Sequence, residues 1–147
     1  MDSSYSQEQI KNILLRNRVI AIVGLSEEQE KDSHKVAAYL QRYGYRIIPV
    51  NPYIDEVLGE KSYKSLLDIP PEIQKTIEIV DIFRKTADLA PVVDQAIQLR
   101  QRWGKPFVVW MQVGIINEEA AQRARQAGII AVMDRCLMVE HAAFHRS

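Results

Sequence analysis

Three groups of residues carry side chains or backbone able to do chemistry. The first is Gly24-Leu25-Ser26, placed directly after the apolar run Arg18 to Val23. A glycine there lets backbone amides approach an anion, and Ser26 adds a hydroxyl donor. A helix through Ser33 and His34 would aim its positive end at the same point, with His34 near a phosphate or simply exposed. The competing reading of Gly24 is a plain strand-to-loop turn. The second group is Asp81 with Arg84, spaced for a structural ion pair or, alternatively, for a catalytic carboxylate. The third is Cys136, Glu140, His141 and His145. His141 and His145 would share one face of a helical tail, but Cys136 sits outside the usual zinc-ligand spacings. This tail reads as a polar C-terminal helix, and no metal is expected.

Several familiar chemistries are missing. VGLSEEQEKDS holds one glycine of the three in a G-x-G-x-x-G fingerprint, and Ile47 to Asn51 supplies no acidic residue for a ribose. There is no G-x-x-x-x-G-K-[ST] phosphate loop and no G-x-S-x-G nucleophile elbow. These gaps argue against NAD binding, ATP hydrolysis and serine hydrolase chemistry.

The elements that must position these residues follow from periodicity. Residues 6–16 place Ile10, Ile13 and Leu14 on one helical face, with Ser6 as N-cap. Apolar runs at 18–23, 45–50, 76–82, 106–110 and 129–133 predict five strands buried on both faces. Between them, 33–43, 86–103 and 118–127 read as helices, ended by Gly44, Gly104 and Gly128; Thr86 and Asn117 are the candidate caps. Residues 53–75 read as loop and short turns. Tyr39, Tyr43 and Tyr45 read as packing residues with polar tips. Strands joined by helices of crossover length predict an α/β fold, a Rossmann-like doubly wound five-stranded parallel sheet of order 3-2-1-4-5 in a single domain, 1–147. Ligands bind where the order reverses, here between strands 1 and 4, with strand 5 two spacings, ~10 Å, from strand 1.

Composition bounds the partners. The 147 residues carry 19 basic and 19 acidic side chains, with 47% hydrophobic and 26% charged residues. Zero formal charge leaves no electrostatic footprint for nucleic acid or an anionic membrane. No run reaches the ~18 apolar residues of a membrane span. One cysteine rules out an internal disulfide framework, and the polar start MDSSYSQEQIKN reads as neither secretory nor transit peptide. The expectation is a cytoplasmic protein with a small-molecule ligand, and a homo-oligomer is compatible.

At these loops the chain resembles a known family. VGLS, GYRIIPVNP, LGEKSYKSLLDIP, IVDIFRK, VWMQVGIINEEAAQRARQAG and VMDRC…EH follow, in order, the pattern of small stand-alone coenzyme A-binding proteins. Their fold is similar to the nucleotide-binding domain of succinyl-CoA synthetase α subunits. The resemblance spans roughly residues 15–141 and implies coenzyme A, or an acyl-CoA, in the crevice just located. It implies Gly24, Leu25 and Ser26 at the phosphates, with Lys31, Ser33 and His34 nearby. Asn51 and Pro52 would line the adenosine or phosphate side, Phe83 and Arg84 the next wall, and Gln112 and Gly114 the pantetheine path. The family's first loop commonly carries a proline and an arginine. Here Glu27, Glu28, Gln29, Glu30, Lys31 and Asp32 stand instead, with Lys31 replacing the arginine as a point charge. A binding protein without catalysis leads. The alternatives are an enzyme using Cys136 for acyl or thiol transfer, and a CoA-responsive regulatory module.

Overall fold

The computed structural model describes residues 5–145, so the first four residues of the polar start read above lie outside it. Helix α1 (Gln7–Arg16) opens on a capping box. Ser6 Oγ accepts from the Gln9 amide at 3.1 Å, and Gln9 Oε1 accepts from the Ser6 amide at 2.7 Å. Strand β1 (Val19–Val23), helix α2 (Asp32–Arg42) and strand β2 (Arg46–Val50) follow. A small hairpin, β3 (Glu56–Val57) with β4 (Glu60–Lys61), and the short helix α3 (Pro71–Gln74) occupy the segment read as loop. The chain continues through β5 (Ile79–Ile82), α4 (Leu89–Trp103), β6 (Val108–Met111), α5 (Glu118–Gln126), β7 (Ile130–Val132) and α6 (Leu137–His145). Asn117 caps α5 as expected, through the Ala120 amide. Thr86 does not cap α4; residues 86–88 form a separate tight turn, and the helix starts at Leu89.

The five long strands are parallel, with helices on both faces, an α/β Rossmann-like sheet. Their order is β2-β1-β5-β6-β7, which is 2-1-3-4-5 by appearance and corrects the expected 3-2-1-4-5. The reason is handedness. A right-handed crossover ties the direction of travel across the sheet to the face on which the connection packs. One face buries α1, α2 and α6 through Ile10, Leu14, Val36, Leu40 and Leu137. Leu66, Ile69 and Ile77, from the β2–β5 connection, bury on the other face with Leu89, Val93 and Leu99 of α4 and Ala120 and Ala124 of α5. That connection must therefore travel the same way as α4 and α5, past β1. The result moves the reversal point from strands 1 and 4 to β1 and β5.

Gly24 sits at that point with φ +89°. A Cβ there would lie 2.3 Å from the Phe83 carbonyl oxygen, so β1 and β5 leave the sheet too close together for any side chain. The chain itself requires this glycine, whatever ligand it faces. Gly114 has a similar φ of +82°, but an added Cβ meets nothing within 4 Å. Gly24→Ala is expected to lower the unfolding free energy by more than ~2 kcal/mol, and Gly114→Ala by only ~1 kcal/mol. Urea denaturation of both variants checks this; equal losses would mean that backbone conformation, not the close crossing, sets the requirement.

Candidate functional site

At the carboxyl edge of the sheet, α2 and α6 lie on the same face and flank a cavity of about 550 Å3. It brings together Phe83, Arg84 and Gln112 of the expected wall, and Cys136. The rest of its lining comes from Asp32, Lys35 and Val36 of α2, from Val113 and Ile115 after β6, and from Met138 and Val139 of α6. Sequence reasoning missed Lys35, Val36, Ile115, Met138 and Val139, because charged helix residues read as solvated surface and apolar ones on a helix or after a strand read as core. Among the described residues, Lys35 and Arg84 are in no ion pair, leaving two cations for an anionic ligand.

The β1–α2 loop is closed by its own hydrogen bonds. The Ser26 amide donates to Ser33 Oγ at 3.0 Å, the Glu28 amide to Ser26 Oγ at 3.0 Å, and His34 Nδ1 lies 2.9 Å from the Ser26 carbonyl. Asn51 ties this loop to the end of β2: its Nδ2 donates to the Leu25 carbonyl, while its Oδ1 accepts from the Tyr53 amide. Leu25 is fully buried, so its side chain belongs to the core and only its backbone faces the crevice. No side chain caps the first turn of α2, whose N-cap is the exposed Lys31. Pro52 and Gly114 are exposed on neighbouring loops. Phe83, Arg84, Gln112 and Cys136 line the cavity, whereas Gly24, Leu25, Ser26, Lys31, Ser33, His34, Asn51, Pro52 and Gly114 are not part of its lining.

The far wall is fixed by side chains from β6 and from Gln112 just after it. The buried Trp110 donates through Nε1 to the Arg135 carbonyl at 2.8 Å, and Gln112 Oε1 accepts the Leu137 amide at 3.3 Å, capping α6. The Gly114 amide donates to Asp134 Oδ1 at 2.8 Å. These bonds hold the turn that carries the half-buried Cys136. With the observed order, β7 lies three spacings from β1, ~14 Å, rather than two.

The metal-like group is dispersed. Cys136 faces the cavity, Glu140 pairs with Arg135 at 3.5 Å, and His141 Nδ1 meets Tyr39 Oη at 2.9 Å. His141 and His145 do share a face, stacked 5.3 Å apart, beside Tyr43. Burial, and then the His145 and Arg18 charges, hold His141 below the ordinary imidazole pKa. The tail is a helix, but Leu137, Met138, Val139 and Phe144 make it apolar rather than polar.

Comparison with known proteins agrees with the geometry. The model of the family described as CoA binding domain matches residues 18–142. An uncharacterized protein of Bacillus subtilis, YneT, is 42% identical over 137 residues, covering 93% of this chain and 95% of that one. The α subunit of the ADP-forming acetate–CoA ligase II of Pyrococcus furiosus is 39% identical over 64 residues, 43% of this chain but 14% of that protein. A solved structure of a hypothetical protein from Pyrococcus horikoshii superposes with a TM-score of 0.86 at 42% identity, covering 95% of this chain and 92% of that one.

Asp81 differs from its expected role. It lies on β5 between Ile22 and Trp110, fully buried, and neither carboxyl oxygen has a hydrogen-bond partner. No ion pair with Arg84 forms, because the strand turns the two side chains apart. Burial raises its pKa well above the ordinary aspartate value of 3.8; the nearby Ile82 amide, too poorly aligned for a hydrogen bond, opposes this only weakly. The folded state thus holds a proton that the unfolded chain releases, so stability is full below that ordinary value and falls as pH rises toward the raised one. Asp81→Asn stays neutral at every pH. Its stability relative to the wild type is expected to increase between pH 4 and pH 8 in thermal melts; a constant difference would show that Asp81 is ionised in the fold.

Proposed function

This chain belongs to the CoA binding domain family, and on that premise we propose that it binds coenzyme A at the carboxyl edge of its sheet. The observation that carries the reading is the pairing of unengaged cations, Lys35 and Arg84, with a largely apolar cavity at the reversal point. Coenzyme A meets the cations with its anionic phosphates, and its arm ends in a thiol that can reach the cavity. On this reading the phosphates meet Lys35, Arg84 and the open first turn of α2, with backbone from Gly24 to Ser26 and the side chain of Lys31 close by. Ser33 and His34 brace that loop. Asn51 and Pro52 take the adenosine side, Phe83 forms a wall, and the pantetheine arm runs past Gln112 and Gly114.

The acetate–CoA ligase relative supports coenzyme A as the ligand class, although this chain spans a small part of that protein. Nothing in the site requires a catalytic step. Cys136 supplies the one observation favouring a second reading, since its half-buried thiol lines the same cavity as Arg84. There its thiolate would attack coenzyme A disulfide, forming a mixed disulfide and releasing one coenzyme A thiolate.

Two measurements test these readings. At a hundred times its dissociation constant, coenzyme A should stabilise the protein by ~2.7 kcal/mol, read as a rise in Tm that NAD and ATP at equal concentration do not match. Arg84→Ala should weaken binding about tenfold, the loss of one charge-assisted hydrogen bond. An equal or larger shift with NAD would overturn the assignment. For the second reading, intact mass after incubation with coenzyme A disulfide should show an adduct that reductant removes and Cys136→Ser lacks. If no adduct forms while coenzyme A binds, the cysteine is a wall residue only.

A further inference from the structure

The inner part of the cavity asks for a different kind of group from its mouth. Asp32 and Lys35 are exposed at the rim, and Arg84 is half-buried. Deeper in, the walls are Val36, Phe83, Ile115, Cys136 and Met138. The buried polar side chain there, Gln112, already accepts the Leu137 amide through its Oε1. Pantetheine carries two amides that lose free energy when buried without partners, whereas a hydrocarbon needs none. The rim adds apolar surface still open to solvent: Val113 is 66% exposed and Val139 56%. Helix α6 carries apolar residues on more than one face, so burying Leu137 in the core leaves Met138 and Val139 facing the cavity. The methionine thioether can adapt to ligands of different length.

We infer that this inner cavity between α2 and α6 holds the hydrocarbon chain of an acyl thioester, which makes acyl-CoA of intermediate chain length the preferred ligand. The inference rests on the coenzyme A reading for the head of the ligand and goes beyond it for the tail. The thioester then sits near Cys136 and Gln112, the chain covers Val113 and Val139, and the phosphates remain at Lys35 and Arg84. Each methylene buried along these walls should tighten binding by about fourfold until the cavity is full.

Titration calorimetry with coenzyme A, acetyl-CoA, butyryl-CoA and hexanoyl-CoA reads this directly, with hexanoyl-pantetheine as a probe lacking the nucleotide. Affinity should rise along the series, with hexanoyl-CoA at least about twentyfold tighter than acetyl-CoA. Val139→Asp, a change on an exposed helical position, should bring that ratio near one, and Val113→Asp serves if the first variant does not fold. A flat series with coenzyme A still bound overturns the chain site and leaves the coenzyme A reading intact. Saturation by hexanoyl-pantetheine with no response to coenzyme A does the reverse. A flat series with a sedimentation mass twice 16.9 kDa, halved by Val139→Asp, assigns the rim to a second copy of the chain and also overturns the inference.

Discussion

The crossover from β2 to β5 is the constraint on which the rest of this structure depends. Leu66, Ile69 and Ile77 bury against α4 and α5, so the connection lies on their face of the sheet. With right-handed travel obligatory, β5 lands beside β1 and separates it from β6. The connections that leave β1 and β5 then run to opposite faces of the sheet, which opens the crevice between them. Had the same segment packed over α2, β5 would lie beyond β2, and Phe83 and Arg84 would stand at the sheet edge, away from the Gly24 loop. The 2.3 Å separation between a Cβ added at Gly24 and the Phe83 carbonyl is a direct consequence of the adjacency.

Much of this was legible from residue order alone, and the parts that were not share a cause. Runs such as Val19–Val23 and Ile79–Ile82 are apolar on both faces, a pattern that marks an interior parallel strand. Ser6, Gly44, Gly104 and Asn117 mark helix ends by chemistry that acts within one turn. Strand order depends on which face a connection packs against, and nothing local to Leu66 or Ile69 states that. The same holds for the site. Its loops announce themselves through Gly24, Asn51-Pro52 and Arg84, whereas Val36, Met138 and Val139 become a cavity wall only because α2 and α6 are set apart on one face. Asp81 shows the limit from the other side: its spacing to Arg84 suits an ion pair, but strand alternation buries it beside Trp110.

The wall opposite the Gly24 loop is held by long-range bonds to side chains that would otherwise count as filler. Trp110 and Gln112 alternate onto the α6 face of β6, and each reaches a backbone group of the turn after β7. Gln112 does for α6 what a local serine does for α1, satisfying a first-turn amide from another strand. Both bonds help to hold the segment carrying Cys136 and Met138, so the shape of the cavity is coupled to residues at the end of β6. This places the position of the thiol under the control of sheet packing rather than of loop sequence.

On the coenzyme A reading, charge and hydrogen bonding favour one end of the crevice for the phosphates. Glu27, Glu28, Glu30 and Asp32 are all exposed, so water and counterions screen their repulsion toward a polyphosphate over distances near the Debye length of ~8 Å. The serine oxygens serve the loop as acceptors: Ser33 Oγ takes the Ser26 amide, and Ser26 Oγ takes the Glu28 amide. Each hydroxyl keeps its own O–H to donate, so a phosphate can accept from it without breaking the bonds that close the loop. The first turn of α2 has no side-chain cap to displace, and Lys35 lies one turn along the same helix. An anion there exchanges water for amide and ammonium donors, and the ammonium brings a full charge that a neutral hydroxyl lacks, which on the coenzyme A reading favours the helix end and its cations as the electrostatic anchor.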